Sequence, residues 1–163
     1  MEFMDFFTRY TKYIVLLHVL SAAIWMGGMV ALTITTSHLV RMEPLKKDNL
    51  RIVMSILKRF FFWLSPFIVF IFITAVVMQI GFVFENGNPI YLTIVHMNQW
   101  IWLFMTLIFL YAVRKRYTAM KHYENENFQA CKNDLILILD YLFVLTFILG
   151  VVASYFGLIL RGL

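Results

Sequence analysis

Four side chains stand in long apolar runs where a polar group is expensive: His18, Gln79, His96 and Asp140. Inside a bilayer such groups face the protein interior and are functional candidates by default. The two histidines carry the clearest chemistry. His18 lies near the start of the first apolar run and His96 near the start of the third. If both runs are helices crossing in the same direction, each imidazole falls roughly 8–10 Å below the same end, at about 1.5 Å per residue. Two neutral imidazoles at one depth on facing helices are what a six-coordinate haem iron needs, and copper accepts the same donors. Gln79, near the far end of the second run, falls at a similar level, as do Ser154 and Tyr155 of the fourth.

The neighbours of the histidines suit a flat macrocycle. Ser21 and Ala22, both small, lie one helical turn below His18; Trp25 is two turns below on the same stripe, and Met29 follows. Gln99 and Trp100 lie one turn below His96, with Trp100 able to pack on a ring. Each of these residues also has a plainer reading. A histidine near a helix end sits at the interface and binds nothing. Trp25 and Trp100 are packing aromatics, and Gln79 bonds a carbonyl across a helix contact. Asp140 lies about one and a half turns inside the fourth run. It is either an ion pair with Lys58 or Arg59, or a carboxyl that handles protons. His38 and His122 make a poorer second metal site, since both sit in polar surroundings. The ten methionines offer thioether donors to Cu(I), but they are scattered as packing residues are. No nucleophile triad, phosphate loop or dinucleotide motif is present.

The elements that hold these groups follow from composition. The chain has 163 residues, 62% hydrophobic and 14% charged, with mean hydropathy +0.81. Soluble domains run near ~45–50% apolar, and a bilayer is the natural solvent for the surplus. Four runs are long enough to span: about 13–38, 60–84, 90–113 and 135–160. The expected fold is all-α, an integral membrane four-helix bundle forming one transmembrane domain. Gly27, Gly28, Gly150 and Gly157 permit close helix approach, and neighbouring groups accommodate a kink at Pro66.

Of the 14 Lys and Arg, all but Arg9, Lys12 and Arg161 fall in the first and third connections. The second connection, Glu85-Asn-Gly-Asn-Pro89, has none and carries strong turn signals. Basic loops stay in the cytoplasm, so both termini are expected on the outer side. The net charge of +5 flanks membrane spans and is no nucleic-acid footprint. The single cysteine, Cys131, excludes an intrachain disulfide and is expected as a reduced thiol in a cytoplasmic polar loop. The acidic start, Met1 to Asp5, and the long first run are a poor fit to a cleaved leader.

The run His18-Val-Leu-Ser-Ala-Ala-Ile-Trp25-Met-Gly-Gly28-Met resembles the first-helix signature of CopD-like membrane proteins, His-x6-Trp-x-Gly-Gly. The same His-to-Trp spacing occurs in the related HemJ-type protoporphyrinogen oxidases, which bind haem b. Lys58-Arg59, the aromatics after it and Pro66 are similar to the start of that family's second helix. His96 opens the third helix, where the family has His-x-Lys. The resemblance covers about two-thirds of the chain, and it departs in two places. Asn98 stands where the family has lysine, and Ala31-Leu-Thr-Ile-Thr-Thr36 replaces its aromatic-Leu-Pro-Arg segment. The resemblance therefore implies a haem-binding scaffold in a bacterial inner membrane more than it implies that enzymatic activity.

Three functions follow as expectations. The first is a haem b protein with His18 and His96 as axial ligands and Trp25, Gln79 and Trp100 around the ring. Its task is electron transfer or oxidation of a membrane-soluble substrate, a quinol or porphyrinogen. The second is copper binding or transport of the CopD type through the same histidines. The third is a cofactor-free accessory subunit of a larger membrane complex or homo-oligomer.

Overall fold

In a computed structural model, which describes residues 2–44, 46–82 and 89–160, the chain forms a bundle of four long helical rods. Helix α1 runs Glu2–Arg41, α2 Lys47–Gly81 and α3 Pro89–Glu124. The fourth rod is α4, Phe128–Ile136, a π-helical segment Leu137–Leu142, and α5, Phe143–Ile159. All four rods are long and apolar enough to cross a membrane. The protein is a multi-pass, all-α membrane bundle. Residues 2 and 160 lie at the same end of it.

The rods are arranged up and down around a square. Helix α1 packs along α2 and the fourth rod, α3 packs along the fourth rod and α2, and α1 and α3 face each other across a diagonal. Side-chain contacts fix the register. His18 meets Thr74, Thr33 meets Leu139, and Lys115 meets Asp134.

The helices outrun the bilayer. Helix α1 has 40 residues and α3 has 36, so they measure about 60 and 54 Å against roughly 30 Å of hydrocarbon. The apolar parts match the expected spans, but the basic stretches expected as loops are mostly helix. Only 42–46 and 125–127 separate the rods at that end. Those stretches hold good helix formers, and Leu50, Val53, Met54 and Leu57 keep a helical apolar spacing. His122 is therefore in the last turn of α3, and Cys131 is buried in α4. The second connection, 83–88, lies outside the described residues, as does the expected end of the second span at residue 84.

The projecting ends make a cap with its own core. Val40, Leu50, Leu57, Ala119, Leu135 and Leu139 are wholly buried there. In water such a core drives assembly, whereas apolar side chains within the membrane spans need no burial. Polar contacts stitch the cap: Lys115 to Asp134 at 2.9 Å, Lys132 to Glu43 at 2.6 Å, and Arg116 Nε donating to the Met54 carbonyl at 3.2 Å. Helices α3 and α4 join through Asn125–Asn127. The Asn127 amide bonds the His122 carbonyl and the Glu126 amide bonds the Tyr123 carbonyl, the Schellman pattern, with Glu126 at φ 59°. Asn127 also caps α4 by accepting from the Ala130 amide.

An aromatic layer closes the cap where the membrane part begins. Phe61 meets Phe109 and Phe143 edge-on at 5.4 and 6.0 Å, and Phe60 lies 5.8 Å from Phe143. Gly28 admits Phe60, since a Cβ there would stand 2.9 Å from the ring. Gly150 makes room for Met26 in the same way, whereas Gly27 and Gly157 face open space.

Candidate functional site

His18 lies on the interior stripe of α1 with Ser21, Trp25 and Met29, spaced three, seven and eleven residues on. Its Nδ1 is 2.8 Å from the hydroxyl of Thr74 on α2. That hydroxyl is within 2.6 Å of the Phe70 carbonyl and 3.1 Å of the Ile71 carbonyl, and it spends its one hydrogen there. It must then accept from Nδ1–H of His18. A neutral ring held so carries its lone pair on Nε2, the atom that ligates metals.

On the stripe below this histidine, hydrogen bonding is incomplete. Ser21 Oγ and Trp25 Nε1 are buried without a partner among the described residues; Asn98 Oδ1 and Trp102 Nε1 on α3, and Asp134 Oδ2 in the cap, likewise lack a hydrogen-bond partner elsewhere in the bundle. Both Ser21 and Trp25 are almost fully buried. Elsewhere the bundle satisfies its hydroxyls locally. Thr11, Thr36, Ser65, Thr106, Thr146 and Ser154 each donate to the carbonyl one turn back on their own helix. Ser21 departs from that habit. Trp102 stacks on Phe72 of α2 at 4.9 Å, on the side of α2 away from Thr74.

The other sequence candidates are placed differently. His96 is exposed on α3, on the side away from the bundle axis, and α3 lies diagonal to α1. The fold thus does not bring His18 and His96 together across a helix contact. Trp100 also faces outward, 62% exposed. Gln79 meets the side-chain amide of Gln99, where a backbone carbonyl was the plainer expectation. Ser154 is bonded to its own helix and Tyr155 is exposed. His38 is exposed at the cap, and His122 stands 3.9 Å from Asp134, so these two belong to different surroundings. Among the described residues no group of three or more His, Cys, Asp or Glu is placed to hold a metal.

Asp140 is an ion pair, though with a different partner from either expected one. Its Oδ1 accepts from Ser37 Oγ at 2.9 Å, and its Oδ2 accepts from Arg41 Nε at 3.1 Å. Thr33 Oγ1 donates to the neighbouring Leu139 carbonyl at 3.0 Å. Thr33, Ser37 and Arg41, four residues apart on α1, form one polar stripe against the π-helical segment. Lys58 and Arg59 point outward from α2 instead. The carboxylate is mostly covered and Arg41 is 61% exposed, so solvent screens the pair and its part is to fix the register of α1 on the fourth rod. The polar run Thr33–Ser37 signalled this stripe in the sequence. Thr74, the partner of His18, gave no comparable signal.

The chain matches no family model, no curated protein and no solved structure.

Proposed function

We propose that this membrane protein binds haem, with His18 Nε2 ligating the iron in the half of the bundle away from the cap. The observation that carries the reading is the interior stripe below His18, where Ser21 Oγ and Trp25 Nε1 are buried with no partner among the described residues. An unsatisfied buried polar atom costs roughly 1–3 kcal/mol, so a polar occupant is the economical explanation of two on one stripe. The donor set fits a macrocycle: one imidazole of fixed tautomer, an indole N–H and a small serine beside the ligand. The resemblance of His18–Gly28 to CopD-like and HemJ-type proteins favours haem b over other metals.

Haem supplies one-electron chemistry, tuned by axial ligand, hydrogen bonding and burial. The chain contributes the rest. Thr74 orients the His18 ring and keeps its proton on Nδ1, the usual role of an outer partner to a metal-bound imidazole. Trp25 and Met29 beneath it exclude water. A site within the membrane span suits a lipid-soluble partner, a quinol or a porphyrinogen, in electron transfer or oxidation. With Lys and Arg concentrated at the cap, the positive-inside rule assigns that end to the cytoplasm of a bacterial inner membrane. His96 stands outside this site within one chain.

The test is an optical spectrum of detergent-purified protein from haem-replete cells, oxidised and then reduced with dithionite, with metal analysis. A Soret band is expected in the wild type and in His96→Ala, and no band in His18→Ala. A colourless wild type would sink the haem reading, and stoichiometric copper in it would favour copper transport. Equal pigment in His18→Ala would remove His18 as the ligand.

A further inference from the structure

Ser55, Lys58, Arg59, Phe62 and Trp63 line an open groove of about 380 Å³ on the outward face of α2. Their spacing is i, i+3, i+4, i+7 and i+8, a single helical stripe. Three cap cations have acidic partners: Arg41 has Asp140, Lys115 has Asp134, and Lys132 has Glu43. Lys58 and Arg59, like Lys46, Arg51, Arg114 and Lys121, have none among the described residues; what sets these two apart is their place at the head of an exposed aromatic and apolar stripe. They stand side by side just where α2 enters its apolar span at Phe60. Below them Phe62 and Trp63 are 73% and 69% exposed and meet edge to face at 5.9 Å. The stripe continues through Pro66, Val69, Phe70 and Ile73, all exposed and apolar.

From the cap inward, this face presents a hydroxyl, two free cations, two aromatics and an apolar track. A phospholipid has the same order of headgroup, phosphate, ester boundary and acyl chain. Basic residues at a membrane surface attract anionic lipids, and aromatic side chains settle at the headgroup level. A free anion would use the cations alone and leave the aromatics and the track without a role.

We propose that this face of α2 is a binding site for an anionic phospholipid. Lys58 and Arg59 hold the phosphate, Ser55 reaches the headgroup, Phe62 and Trp63 flank the glycerol, and one acyl chain lies along Pro66 to Ile73. The site is separate from the His18 region and does not depend on any cofactor there.

The experiment is native mass spectrometry of the full chain in detergent, titrated with a phosphatidylglycerol or a phosphatidylcholine of matched chains. The wild type is expected to retain phosphatidylglycerol in preference. The Lys58→Gln/Arg59→Gln variant should bind it about thirtyfold more weakly, from two surface charges. Lys46→Gln/Arg51→Gln, which removes the same charge elsewhere in the cap, should bind as the wild type does. Equal retention of both lipids by the wild type would overturn the proposal. So would equal weakening in the two charge variants, or displacement of the lipid by millimolar inorganic phosphate. If Lys58→Gln/Arg59→Gln fails to fold, Phe62→Ala/Trp63→Ala decides: weakened phosphatidylglycerol binding supports the site, and unchanged binding rules it out.

Discussion

Thr74 does two jobs with one hydroxyl. It donates back to its own helix and accepts from His18. Thr74→Val keeps the shape and removes both bonds, leaving Nδ1–H of His18 without that acceptor. The expected loss is about 1 kcal/mol of stability, read from thermal unfolding in detergent. In the haem reading, affinity should also fall by about ten- to a hundredfold, read by haem titration; unchanged affinity would separate Thr74 from the site. His18 was legible in the sequence because an imidazole in an apolar run has few cheap explanations. Its partner was not, because Thr74 looks like any hydroxyl in a membrane helix and only the register of α1 on α2 selects it. For Asp140 the sequence pointed to an ion pair but to the wrong cations. Several basic residues flank the spans at nearby depth, and rotation of each helix decides which one faces the carboxylate. The π-helical turn alters that rotation, and no 3.6-residue pattern foretells it.

Among the elements, glycines that look alike in sequence separate sharply. A Cβ on Gly81 would overlap the Phe7 ring, whereas Gly157 has nothing within 4 Å. Gly81→Ala should therefore cost about 1–3 kcal/mol. Gly157→Ala should be neutral or gain up to about 1 kcal/mol from helix propensity. Matching losses in the two variants would contradict the packing described. The turn between α3 and α4 offers a gain of another kind. Glu126 holds a left-handed conformation that glycine adopts without strain. Glu126→Gly is expected to raise stability by about 0.5–1 kcal/mol, measurable as a higher unfolding temperature. The sequence hid this turn, since 114–134 contains neither Gly nor Pro. Its polarity read as a loop, while its helix formers and the spacing of Ala112, Ala119, Cys131 and Leu135 carried the better signal.

At the scale of the whole molecule, hydropathy was enough to see four rods running up and down, because a bilayer leaves few alternatives. It was not enough to see the cap, because the cap core is built from isolated apolar residues inside charged stretches, and these lower any windowed average. Cys131 reports on that core. It is fully buried in α4, outside the apolar spans, and burial pushes its thiol up to about 11. At pH 7–8 it should resist maleimide in the folded protein and react only when the cap opens. Rapid stoichiometric labelling under native conditions would show that the cap is not packed as described.

Rods held at both ends behave as one beam. The cap and the Phe60–Phe61–Phe109–Phe143 layer fasten α1 to α2 at one end, and Phe7 against Gly81 and Phe82 fastens them at the other. His18 and Thr74 meet between the two fastenings. When the bilayer thins or thickens, helices adjust by tilting. Here α1 and α2 tilt together, and the spacing at the histidine is insulated from membrane thickness.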